Sequence, residues 1–226
     1  MPESVLYSPF FGLGLSVICW CIGVRLQKKT KLLVCNPVLV AAVLIIALLL
    51  VFDIPLECYS VGGDILKLVL GPATAVLALN IYEQRKVLRE HFVPVLAGCL
   101  AGSIASIVSV LILCRVLGAQ EIFTASMLPK SVTTAIALGV SENGGGIGGI
   151  TAAAVILTGL EGAMLAPVFA RVFRITDPVA EGVAIGACSH AIGTTKALEL
   201  GSLQGAMSSI AVCVCGIFTS RLVLFL

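Results

Sequence analysis

Residues 32–52 and 92–114 carry no charged side chain. At about 1.5 Å per helical residue, each is long enough to cross roughly 30 Å of hydrocarbon. Lipid offers no partner to backbone N–H and C=O groups, so a continuous stretch of this kind must satisfy them internally, as a helix. Similar stretches recur at 5–24, 61–82 (with Asp64 and Lys67 at its entry), 147–170 (interrupted by Glu161), 179–200 and 202–220. The expected fold is all-α: a polytopic membrane protein with about six to eight membrane helices, some of them re-entrant or broken. Composition agrees. Of the 226 residues only 12% are charged, and mean hydropathy is +1.13, whereas a soluble domain needs about twice that charge. The net charge of +2 gives no footprint for nucleic acid.

The first stretch lacks a basic segment before it and is followed by Arg25, Lys28, Lys29 and Lys31, so it reads as a retained span. Most of the nine cysteines lie in apolar runs and behave as small hydrophobes. The C-x-C pairs at 19/21 and 213/215 point to different sides of a helix, so neither a metal site nor a cofactor is expected.

Loop charges orient the spans. Arg25 to Lys31 and Arg85 to Arg89 are basic, while Asp53, Glu57 and Asp64 are acidic. The positive-inside rule places the basic loops in the cytoplasm and the amino terminus outside. Arg171 and Arg174 should also be cytoplasmic. That requires residues 129–140 to enter the membrane and return without crossing.

Two polar, glycine-rich patches interrupt the apolar background. One covers residues 128–149, the other 186–196. Gly71, Pro72, Pro129, Gly144, Gly145, Gly146, Gly186 and Gly193 are the expected points of broken helical backbone. Residues 69–75 align with 184–190, which points to a two-fold internal repeat, halves 1–117 and 120–226, within a single transmembrane domain.

A helix opening at Pro129 would place Lys130, Thr133 and Thr134 on one face, with the helix amino terminus nearby. Together with Ser131 and Asn143 they would suit a small carboxylate. Alternatively, Lys130 reaches the interface and the threonines bond back to their own helix. In the second patch Ser189, Gly193 and Lys196 share a helical face, beside His190, Thr194 and Thr195. His190 is either a proton carrier or a satisfied structural histidine. Glu142 is the other candidate proton site, as an acid inside apolar sequence. Glu161 ranks below it, and Glu199 stands where it can pair with Lys196. The G-x-x-x-G of Gly98 and Gly102 allows close helix approach, within the chain or between copies. No enzyme signature is present: Gly139 to Asn143 fails G-x-S-x-G, and the glycine run lacks G-K-[ST].

Pro-Lys-Ser-Val-Thr-Thr at 129–134, Ser-Glu and the glycine run at 141–149, Asp177-Pro-Val-Ala180, and Gly186-x-x-Ser-His-x-Ile-Gly-Thr194 followed by Ala197-Leu-Glu-Leu-Gly201 resemble the signatures of the LrgB/CidB family. Leu70-Gly-Pro-Ala-Thr74 with Tyr82 resembles an earlier one. Ala135 and Asn80 stand where that pattern has proline, Ala191 where it has glycine, Lys196 where it has arginine, and Glu181 where a basic residue is common. The resemblance implies two functions. One is a holin- or antiholin-like membrane protein that modulates murein hydrolase activity and autolysis, beside a small LrgA/CidA-like membrane partner. The other is a secondary transporter of small 2-hydroxy or 2-keto monocarboxylates (glycolate, glycerate, lactate or pyruvate), coupled to protons. The polar patches favour transport. The expected setting is the bacterial cytoplasmic membrane, with lipid around the chain, a small carboxylate as substrate and a homodimer as assembly.

Overall fold

The computed structural model describes residues 6–30, 35, 37–69, 72, 75, 79, 82–83 and 85–226. Every regular element among them is a helix. The chain divides into two compact units, Met1–Ala73 and Thr74–Leu226.

The first unit holds α1 (Pro9–Thr30), α2 (Pro37–Val51) and α3 (Leu56–Leu68), with α1 packed against both others. The α1–α3 crossing needs glycine on each side. A Cβ on Gly12 would run into the Tyr59 carbonyl, and one on Gly62 into the backbone of Pro9 and Leu13. The Ser16 and Tyr59 hydroxyls share a hydrogen bond of 2.9 Å across the same contact. Lys28 and Lys29 sit in the last turn of α1, where cations complement the carbonyl end of the helix.

The second unit holds α4 (Arg85–Glu90), α5 (Phe92–Val116), α6 (Glu121–Met127), α7 (Thr134–Asn143), α8 (Gly148–Val172), α9 (Pro178–Leu200) and α10 (Ser202–Val223). Its core is the α9–α10 pair backed by α5, built on Val95, Cys99, Val183, Met207, Ile210 and Cys215. Small residues bring the pair together: a Cβ on Gly182 would strike the Gln204 carbonyl, and one on Gly186 the Ser208 carbonyl. The G-x-x-x-G of α5 is used inside the chain. Gly98 meets Val183 and Gly102 meets Ala187, both on α9. Asp177 caps α9, accepting from Val179 N–H at 2.7 Å and Ala180 N–H at 3.1 Å, with Pro178 opening the helix.

The outer surface is apolar. On α5, Leu100, Ile104, Val108 and Ile112 form an exposed stripe while Cys99, Ser103 and Ile107 turn inward. A helix apolar on the outside as well as the inside belongs in lipid. Among the described residues four helices are long and apolar enough to cross a membrane: α1, α5, α8 and α10. That is fewer than the six to eight expected. The stretch 32–52 yields only the 15 residues of α2; much of 61–82 lies outside the described residues; and the span at 179–200 is interrupted, as shown below. The internal repeat finds no support either. Gly71, with most of the segment 69–75 on which it rested, lies outside the described residues, and Pro72 is exposed.

Candidate functional site

Pro129 does not open a helix. α6 ends at Met127, and the chain then makes turns in which Lys130 N–H donates to Met127 O (3.2 Å) and Val132 N–H to Pro129 O (3.2 Å). Thr133 is extended (φ −62°, ψ 148°), and helix resumes only at Thr134. An extended residue takes everything before it out of helical phase, so the expected face of Lys130, Thr133 and Thr134 does not form. The three side chains part company. Lys130 and Ser131 line a cavity. Thr133 is 8% exposed, its Oγ1 has no hydrogen-bond partner among the described residues, and it makes no capping bond to α7. Thr134 stands in the first turn of α7.

The glycine run closes a tight junction. Gly145 has φ 76°, and a Cβ on Gly146 would collide with Ser141 Oγ and the Ser126 backbone. That closeness serves a buried hydroxyl cluster. Thr151 Oγ1 lies 2.6 Å from Ser141 Oγ and 2.9 Å from Ser126 O, and Ser126 Oγ accepts from Ile147 N–H at 2.7 Å. Three short pieces, α6, α7 and the start of α8, are thus tied by hydroxyls that nothing in the spacing of the sequence singled out. Glu142 and Asn143, on the exposed side of the junction, lie away from the cavity.

The second patch is a broken helix, but not where glycine suggested. Gly186 and Gly193 are helical residues in close packing; the break is at His190 (φ 41°, ψ −141°). A side chain in this region is strained by about 1–3 kcal/mol and needs surrounding contacts to hold it. The ring provides one. His190 is 3% exposed and its Nε2 lies 2.8 Å from the Val155 carbonyl, which can only accept, so that nitrogen carries a hydrogen. A Cβ on Gly159 would enter the ring's place. The neighbouring hydroxyls bond locally: Ser189 to Ile185 O, Thr195 to Ile192 O, and Thr194 to His190 O at 3.1 Å and Ser208 Oγ at 2.9 Å. Lys196 pairs with Glu199 at 2.7 Å. None of these residues reaches the cavity.

The cavity encloses about 560 Å³ between α5, α8, α9 and the turns before α7. Its α8 wall is one helical face, Thr158, Glu161, Leu165 and Phe169 with their neighbours, running from mid-helix toward the Arg171 end. Among the described residues Lys130 is the one basic residue lining it. The Lys130 Nζ lies 3.4 Å from Ser131 Oγ, which shares a 2.8 Å hydrogen bond with Ser106 Oγ. Thr158, Glu161, Glu181, Ser109 and Cys188 are its other polar residues, and Leu165, Phe169 and Ile175 are among its apolar ones. A cation with two hydroxyls beside it can hold a carboxylate, and the apolar lining can take a short carbon chain. Sequence reasoning found Lys130 and Ser131 and missed Glu181 and Cys188. Glu161 was visible as a lone acid in a span.

The model of the LrgB-like family matches residues 16–226. The chain belongs to that family. A Bacillus subtilis (strain 168) protein named antiholin-like protein LrgB is 39% identical over 218 residues, covering 96% of this chain and 94% of the relative. A Bacillus mycoides (strain KBAB4) protein of the same name is 38% identical over 213 residues, 94% and 93% of the two chains. An uncharacterized Bacillus subtilis protein, YxaC, is 37% identical over 206 residues, 91% and 90%. No solved structure matches the chain. Family and apolar helices together make it a helical membrane protein.

Proposed function

We propose that this chain acts as an antiholin-like protein in the bacterial cytoplasmic membrane, modulating murein hydrolase activity and autolysis. What carries this reading is the near full-length identity to relatives bearing that name. In this role it would work beside a small LrgA/CidA-like membrane partner and as a homodimer. Its amino terminus would be outside, and α2, α9 and the apolar stretch 61–82 of the sequence would add to the four long helices to give seven crossings.

A second reading is favoured by one observation, the cavity in which Lys130 is, among the described residues, the one basic lining residue. There the chain is a secondary transporter of small 2-hydroxy or 2-keto monocarboxylates. Lys130, Ser131 and Ser106 hold the carboxylate, and the apolar lining faces the remainder of the molecule. The two readings are compatible if solute flux sets the membrane state to which lysis responds.

One pair of assays separates them. In a host lacking its own family members, expression of the chain should slow autolysis. In proteoliposomes, labelled glycolate or pyruvate should show saturable flux, and Lys130→Ala should remove it. Slowed lysis without flux leaves only the antiholin-like role. Leakage of a neutral dye would defeat the transport reading.

A further inference from the structure

We propose, resting on the transport reading above, that Glu161 takes up a proton when an anion binds at Lys130, so that the two cross together. The titratable groups facing the cavity are Lys130 from the turns before α7, Glu161 from α8, and Glu181 and Cys188 from α9; α5 supplies only hydroxyls and small apolar residues. One positive charge therefore faces two carboxylates. A substrate carboxylate would make three negative charges against one, and like charges gathered around a single cation repel. The anion is accommodated once one acid is neutralised.

The geometry separates the two acids. Glu181 lies in the first turn of α9, where the helix amino terminus favours its anion, and it accepts from Gln204 Nε2 at 3.3 Å. Glu161 is mid-helix in α8, and among the described residues it has neither a hydrogen bond nor an ion pair. The charge it meets in the cavity is that of Lys130, and an anion bound there takes that partner away. A thiol already carries its proton, so Cys188 offers no site for a second one. His190 and Glu142 lie outside the cavity. The proton comes from water on the loading side, binds a Glu161 carboxylate oxygen, and returns to water when the anion leaves. The net movement is one carboxylate and one proton.

The test uses the full chain in vesicles of phosphatidylethanolamine and phosphatidylglycerol with labelled glycolate as probe. Under an inward pH gradient of one unit, the wild-type protein should accumulate glycolate about tenfold, the limit for one proton per anion. Glu161→Gln should abolish that accumulation yet keep glycolate–glycolate counterflow, because the amide mimics the protonated acid. Glu142→Gln, on the exposed side of the α7–α8 junction and away from the cavity, should keep both. Accumulation by Glu161→Gln with wild-type yield would overturn the assignment and leave transport standing; loss confined to Glu181→Gln would do the same. If Glu161→Gln lacks counterflow too, Glu161→Asp must restore the gradient response, or the proposal fails. A wild-type protein without any flux removes the transport reading and this one with it.

Discussion

Thr133 is the residue whose chemistry is least settled by its neighbours: a hydroxyl 8% exposed with no partner among the described residues. Leaving such a group unpaired costs about 1–3 kcal/mol. Thr133→Val should therefore leave thermal stability in detergent unchanged or raise it. A fall in melting temperature of several degrees would show that the hydroxyl is satisfied in solution. Lys130 was legible as a candidate because a lysine amid apolar sequence is expensive wherever it sits. Its supposed companions were not, since their grouping assumed a helix that the extended Thr133 interrupts. Glu161 was underrated for the opposite reason. In the sequence it has no charged residue near it, and the charged groups that share its cavity, Lys130 and Glu181, stand 31 and 20 positions away.

At the scale of elements, helices were readable and breaks only in part. α5, α8 and α10 follow from apolar length alone, which needs no knowledge of partners. Breaks depend on tertiary contacts. The junction between α7 and α8 coincides with its glycines, but the hydroxyl cluster that holds it was invisible in the spacing. Thr151 is the centre of that cluster, fully buried against Ser126 and Ser141. Thr151→Val keeps the volume and strands two oxygens, so it should destabilise by about 1–3 kcal/mol. Gly146→Ala should be at least as damaging, since its Cβ meets backbone as well as a hydroxyl. Thermal unfolding of the purified protein in one detergent checks both. Equal melting temperatures would mean the cluster contributes nothing.

For the whole molecule, charge and lipid exposure set the orientation. The basic residues Lys28 and Lys29 close α1, and Arg171 lies in the last turn of α8. The positive-inside rule predicts that both ends face the cytoplasm. Fluorescent-protein fusions after Lys29 and after Arg174 should fluoresce, whereas fusions after Asp53 and Gly118 should stay dark. Fluorescence after Gly118 would reverse the path assigned to α5. All lining residues of the cavity fall between Gly102 and Cys188, inside the second unit. Substitutions in α1 to α3 that alter flux must then act on folding, insertion or assembly and not on the ligand's own contacts.

The interruption of α9 at a histidine carries one more consequence. Proline or a lone glycine would write the break into the local chain, permanently and regardless of surroundings. Here the instruction is held elsewhere, by a carbonyl on α8. Whatever slides α8 relative to α9 withdraws it. Losing that contact would remove one of the interactions that hold the strained residue, so the joint depends on how α8 packs against α9.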